Sequence, residues 1–378
     1  MTDPWQAPDA PVPPRFGDYT TPASPYQSTD LGQGWAPPPK PGLIPLRPIG
    51  FGTLLGASFQ VLRRNPKATF GSGLIVQAAI MLVTVVVVGL VTFWAIDRID
   101  SAPLAQRDAV TAGSVLVGVL SLIVPFGLSL VGSALLQAVI VLEVARATLG
   151  EKLRLGALWR RAATRLWPLT LWTLLLSVAL FVGTAVVAGL VVLLVGVGGV
   201  AGIVAAVLVG LFGGLLLLAA SAYLYAKTCT VPSLIVLERL GVRASVVRSW
   251  SLTRGYFWRT LGLLLLVGLI VQVIGQIVST PVSLLSGLGT VLVDPNGAFA
   301  EESTIISLIL SVIIAIPVAA VAAVVQSAAI ALVYLDLRMR KEGLDLELAR
   351  YVESVAQGGN VPDPYLIPTT PGAGHSAA

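Results

Sequence analysis

Arginines set beside apolar residues are the groups in this sequence best suited to chemistry. They form three sets: Arg63 and Arg64; Arg160, Arg161 and Arg165; and Arg248, Arg254 and Arg259. A guanidinium stays charged, and its fork of N–H donors matches phosphate oxygens, so each set suits an anionic lipid headgroup. A second group is uncharged. Gln77, Gln137, Gln272, Gln276 and Gln326 lie within strongly apolar stretches. An amide in hydrocarbon needs a hydrogen-bond partner, so these five should face the interior of a helix bundle. There they would either bond helix to helix or line a path for a lipid or small solute.

Catalytic constellations are missing. The chain has 1 histidine, His375, near its end, and 1 cysteine, Cys229. A Ser–His dyad, an HExxH metal site and a thiolate cluster are therefore not available within the apolar region. Gly196-Val-Gly-Gly-Val-Ala-Gly202 matches a nucleotide-binding fingerprint by letter, but no strand precedes it, and it reads as the turn of an apolar hairpin. No Asp or Glu falls deep in an apolar run, which argues against an intramembrane aspartyl protease and carboxylate-based proton coupling. Glu143, Lys227 and Asp336 fall at the ends of such runs, where snorkelling or mutual pairing is expected. No cofactor and no metal is implied.

The elements that position these residues follow from composition. Hydrophobic residues make up 56% of the 378 positions and charged residues 11%, with mean hydropathy +0.88. Soluble domains carry roughly 25% charge, so much of this surface must face lipid. Apolar runs near 70–96, 113–142, 166–195, 199–226, 260–282 and 304–335 each reach the ~20 residues that cross a bilayer core. Pro125 and Pro317 should kink the second and sixth spans, and Pro281 should end the fifth, leaving 283–302 as an outer loop or short re-entrant piece. The small-residue row Gly198, Gly202, Ala206, Gly210 and Gly214 should let a neighbouring helix approach the fourth span.

Charge sets the orientation. Of the 24 Lys and Arg, 22 fall in the termini and alternate loops, and only Arg98 and Arg107 in the opposite set. Positive charge is retained in the cytoplasm, so both termini are placed there, as six spans require. The start, Met1-Thr-Asp-Pro4, lacks the basic and apolar regions of a cleavable signal peptide. Residues 1–46 are rich in proline and without apolar period, and read as a disordered cytoplasmic tail. Its Pro11–Pro14 and Pro38–Pro41 segments could dock a protein partner. Residues 47–350 form the membrane domain, and 351–378 a flexible cytoplasmic tail. The localisation implied is a bacterial inner (plasma) membrane.

A threefold repeat organises the membrane domain. Phe51, Leu54, Leu55, Phe59 and Leu62 form an apolar helical stripe; Leu155, Leu158, Trp159, Ala162 and Leu166 form a second; Val242, Val246, Val247 and Trp250 a third. Each carries arginines off its stripe and precedes two spans. The fold expected is an all-α membrane protein of about six transmembrane helices in three units, each an interfacial amphipathic helix plus a helical hairpin. The apolar stripes would lie in acyl chains, with Trp159, Trp167, Trp172, Trp250 and Trp258 at headgroup depth. The plainer alternative is that these helices are elbows setting the angle of the spans. Nucleic acid is not an expected partner, because the arginines are interleaved with membrane-seeking residues.

Three segments resemble a known family. Pro45-Leu-Arg-Pro-Ile-Gly-Phe-Gly-Thr-Leu-Leu-Gly-Ala-Ser-Phe59 with Arg63-Arg64-Asn65-Pro66 is similar to the opening of the bacterial glycerophosphoryl diester phosphodiesterase membrane domain. Val231-Pro-Ser-Leu-Ile-Val-Leu-Glu238 with Arg248-Ser-Trp-Ser-Leu-Thr-Arg-Gly-Tyr-Phe-Trp-Arg259 resembles its central signature, and Tyr334–Leu348 its end. The family is named for members fused to a catalytic barrel. That barrel needs an acidic metal cluster and paired histidines, and has typically ~250 residues for which this chain has no room. The resemblance therefore implies a stand-alone membrane region without phosphodiesterase activity. The leading expectation is a non-catalytic scaffold or accessory factor in envelope or lipid metabolism. A transporter or lipid-translocating protein is the alternative, suggested by repeats, kinked spans and the glutamine pair.

Overall fold

The computed structural model describes residues 43, 47–293, 300–359 and 361–366. In 282, 283, 285–293 and 300–304 it describes the backbone alone. The expected tail over 1–46 (Leu43 apart), its proline motifs, and His375 lie outside the described residues, as does the middle of the expected outer loop.

Among the described residues there is no strand. Twelve α-helices follow one another: α1 Phe51–Arg64, α2 Phe70–Asp100, α3 Arg107–Ser121, α4 Ile123–Thr148, α5 Leu155–Ala163 and α6 Leu166–Val197, then α7 Gly199–Thr228, α8 Val231–Leu237, α9 Val242–Thr253, α10 Phe257–Val293, α11 Ala300–Glu342 and α12 Leu344–Ala356. Six stretches are long and apolar enough to cross a membrane: Phe70–Asp100, Leu104–Thr148, Leu166–Val197, Gly199–Leu237, Phe257–Pro281 and Ile305–Glu342. Their apolar side chains point outward, with Phe93 75% and Phe181 74% exposed. A water-facing surface could not carry that load, so the architecture is consistent with a multi-pass membrane protein.

The core is concentrated at one end of the bundle. Residues of α4 from Ala134 to Thr148, all of α8, and α11 from Val324 to Met339 are largely buried there. The short helices α1, α5, α8, α9 and α12 gather around this end. It also carries most of the described arginines and is called the basic end below.

Prolines act differently from expectation. α10 continues through Pro281 to Val293. One missing N–H costs a single rung of the ladder, and in a membrane a helix is held by the need to pair its remaining backbone groups. At Pro125 the second span does break, but upstream: α3 ends at Ser121, and Pro125 sits in the first turn of α4, where a missing donor costs little. The turn between α6 and α7 is a single residue, Gly198, at φ 81°, followed by Gly199 at φ 71°. Both lie in the left-handed region that glycine enters without steric cost. The tail also departs from expectation: α12 runs to Ala356, and 361–366 fold back so that Tyr365 is buried.

Candidate functional site

The densest chemistry in the structure gathers on one buried acid of the basic end. Glu238 follows α8 and is buried. Arg248 of α9 grips it, Nε to Oε2 at 2.5 Å and Nη2 to Oε1 at 3.1 Å. From α11, Tyr334 donates its hydroxyl to Glu238 Oε1 at 3.0 Å, and Arg338 Nη1 donates to the Tyr334 oxygen at 3.0 Å. Glu342 closes the cluster, 2.9 Å from both Arg338 Nε and Arg248 Nη2. Each buried charge thus has an opposite partner, as a low-dielectric site demands.

A second cluster centres on Asp336. It accepts from Arg340 Nε at 3.0 Å, pairs with Arg259 Nη2 at 3.3 Å, and accepts the Ile49 backbone N–H at 2.9 Å. The Ile49 carbonyl in turn accepts from Arg340 at 2.7 Å and Arg259 at 2.5 Å. Residue 49, just ahead of α1, is thereby fastened to α10 and α11. Lys341 completes this end by donating to the Ser251 and Arg254 carbonyls, both at 2.7 Å, where α9 runs out of internal donors.

These pairings involve two of the expected headgroup contacts. Arg248 and Arg259 are engaged by acids within the chain, because each finds a carboxylate on a neighbouring helix that local sequence could not reveal. Arg63 and Arg254 are exposed, while Arg64 is half-buried. The apolar stripes also turn partly inward: Leu54, Ala57 and Val61 of α1 are buried, with α1 packed on α11, and Leu158 and Ala162 of α5 are buried as well. Trp167 and Trp258 are exposed as an interfacial position requires, whereas Trp172 is buried and Trp159 donates to Ser72 Oγ at 2.9 Å. Lys227 neither snorkels nor meets a carboxylate among the described residues. It is buried over the rings of Trp250, Phe257 and Tyr223, at 5.4, 5.7 and 5.9 Å from their centroids.

The remaining three arginines converge. Arg160, Arg161 and Arg165, on and just after α5, line a cavity of about 750 Å³ together with Arg146 of α4 and Arg239 beyond α8. Five guanidiniums face one space. Among the described residues its lining holds one acid, Asp363, which binds Arg146; Glu151 also lies 3.7 Å from Arg146. Among the described residues Arg160, Arg161, Arg165 and Arg239 have no ion-pair partner. Leu142, Val236, Leu237 and Leu366 supply an apolar wall. Arg239 reaches the cavity from a left-handed backbone at φ 57°, uncommon for a residue with a side chain.

Asp363 is held in place by Tyr365. The Tyr365 hydroxyl donates to the Ala145 carbonyl at 2.7 Å and lies 2.6 Å from Thr148 Oγ1, and its backbone N–H donates to Asp363 Oδ1 at 3.1 Å. Burial pushes the Tyr365 phenol up from its ordinary range. Nothing in the sequence singled out Arg146, Arg239, Asp363 or Tyr365 as a group, since they come from three separate segments and Arg146 and Asp363 lie 217 positions apart.

The glutamines divide. Gln326 Nε2 donates to the Tyr225 hydroxyl at 2.6 Å, joining α11 to α7 inside the bundle. Gln77 and Gln137 are half-buried. Gln272 and Gln276 share a face of α10, and both are exposed there rather than enclosed in the bundle. The inward face of α10 is taken by the buried Leu263, Leu264 and Val267, and Gln272 and Gln276, five and nine positions beyond Val267, fall roughly on the other side at about 100° per residue. Comparison with protein-family models, curated proteins and solved structures finds no match to this chain.

Proposed function

We propose that this chain is a non-catalytic scaffold or accessory protein of a bacterial inner membrane, serving envelope or lipid metabolism. Its basic end lies in the cytoplasm, against anionic headgroups. The observation that carries the choice over transport is the position of Gln272 and Gln276. The two amides best placed to line a path face away from the bundle, and Gln326 is committed to Tyr225. Polar groups at the outer surface of a span instead favour contact with another membrane helix.

Support for the orientation comes from the 22 of 24 Lys and Arg in the termini and alternate loops. Support for three repeated units comes from element order, since α1, α5 and α9 each precede two apolar stretches. The three segments that resemble the glycerophosphoryl diester phosphodiesterase membrane domain meet in space. Glu238 and Arg248 of the central segment meet Tyr334 and Arg338 of the final one, and Ile49 of the first meets Asp336 of the last. We read the chain as a membrane domain of that family.

The test uses single cysteines in a Cys229→Ser background, probed with a membrane-impermeant maleimide. Position 104, where Leu104 is 83% exposed beyond α2, should label in whole cells, and position 243 only in inside-out vesicles. Positions 272 and 276 should stay unlabelled from both sides. Labelling at either would reveal an aqueous path and put transport first.

A further inference from the structure

We propose that the arginine cavity between α4, α5 and α8 is a binding site for a phosphoryl-bearing anion, with the Asp363 carboxylate standing in its place. The charge count argues for this ligand class. Five guanidiniums share one space with one carboxylate, so four positive charges remain without an ion-pair partner among the described residues. Confining like charges at this density is unfavourable unless an anion joins them. A carboxylate neutralises one charge, whereas a phosphomonoester brings about −1.5 to −2 and three acceptor oxygens. Guanidinium forks match those oxygens in pairs.

Size and lining agree. About 750 Å³ lies within the range of small-molecule sites, roughly 300 to 1,000 Å³, and exceeds what a bare phosphate needs. The apolar wall of Leu142, Val236, Leu237 and Leu366 is suited to the carbon part of an organophosphate. The site is reached from the end of α5, and Arg165 directly precedes the apolar stretch Leu166–Val197. That places the guanidiniums near headgroup depth, so the phosphoryl group could belong to a lipid or to a soluble ester. Only the lipid source rests on the reading of the basic end as membrane-facing; the phosphoryl site itself does not.

Asp363 gives the site a built-in competitor. Its carboxylate already binds Arg146, and Tyr365 fixes the segment that delivers it. An incoming phosphoryl group must share Arg146 with it or displace it. Removing that carboxylate should therefore strengthen binding, an outcome that general damage to the fold would not produce.

The experiment uses the full chain purified in detergent and reconstituted in nanodiscs. Inorganic phosphate and glycerol 3-phosphate are titrated by calorimetry. Lipid is assayed by native mass spectrometry with phosphatidylglycerol or phosphatidic acid against phosphatidylcholine. Wild-type protein should bind at least one of these anionic probes. Arg160→Ala and Arg161→Ala, both at exposed positions, should each weaken that binding about tenfold, the effect of one lost charge-assisted contact. Asp363→Asn should tighten it severalfold, and Arg107→Ala, at the start of α3 and outside the cavity, should leave it unchanged. Binding of the soluble phosphates assigns a soluble ligand, and binding of the anionic lipids alone assigns a headgroup. The proposal is overturned if no anionic probe binds, or if the arginine variants bind as the wild type does. Maleimide labelling at 272 and 276 reports on the scaffold reading separately.

Discussion

The backbone N–H of Ile49 donates to Asp336 across 287 positions of sequence, and the two residues return the contact through Arg259 and Arg340, which both donate to the Ile49 carbonyl. One carboxylate thereby holds the chain ahead of α1 and the ends of α10 and α11. Removing it would leave a buried N–H without its acceptor and two guanidiniums without their anion. Loss of one partner from a buried ionic group costs about 3–5 kcal/mol. Asp336→Ala should cost about that much, seen as a lower thermal midpoint in detergent. Asp336→Asn keeps an acceptor for the N–H and should lose less. Equal stability of Asp336→Ala and wild type would show that the cluster contributes nothing.

Glu238 predicts coupling rather than a single large loss. It is shared by Arg248, Arg338 and Tyr334, so its removal orphans several donors at once. Glu238→Gln and Arg338→Gln should each destabilise the protein, and the double variant should be less destabilised than their sum. Residues in one network show interaction energies of about 0.5–3 kcal/mol. A double-mutant cycle on thermal midpoints measures this, and strict additivity would mean that the two side chains act independently.

What the sequence made legible was set by the physics of lipid. A run of ~20 apolar residues has few alternatives to a membrane helix, so six spans could be read directly. The hairpin at Gly198 was equally plain, because the connection is short and only glycine suits it. Helical period correctly put Gln272 and Gln276 on one face but could not say which way that face turned. The direction depends on what α10 packs against. The pairing of acids with arginines was hidden for the same reason: Glu238 and Arg338 are 100 positions apart and meet only when α8 is inserted beside α11. α8 itself was obscured as an apolar heptapeptide inside a basic stretch, and the folded segment near Tyr365 by its proline- and glycine-rich surroundings.

Tyr365 should govern docking of the segment that carries Asp363. Tyr365→Phe loses hydroxyl contacts to Ala145 and Thr148, worth about 1 kcal/mol each. Tyr365→Ala also empties a buried site and should release the segment, making 357–366 rapidly cleaved by protease. The pH dependence has a definite sign. Burial raises the phenol in the folded state, so its contribution is complete below the unfolded value of ~10 and is lost as pH rises beyond it. Protection should hold from pH 7 to about 9 and fall above ~10 in wild type. In Tyr365→Phe this alkaline component should be absent.

The α6–α7 hairpin offers a matched pair of glycine substitutions. A Cβ at Gly202 would lie 2.6 Å from the Leu194 carbonyl oxygen, a backbone atom that can retreat only if the two helices separate. At Gly214, on the same small-residue row, a Cβ meets nothing within 4 Å. Both positions are helical with ordinary φ, so backbone propensity favours alanine equally, by about 1 kcal/mol. The difference between them therefore reports packing alone. Gly202→Ala should lower stability by about 1–3 kcal/mol, the cost of overpacking a close contact. Gly214→Ala should be neutral or slightly stabilising. Thermal midpoints of the two variants decide it. If they shift alike, the close approach of α6 and α7 at Gly202 is not what holds the hairpin, and the one-residue turn at Gly198 must set its geometry instead.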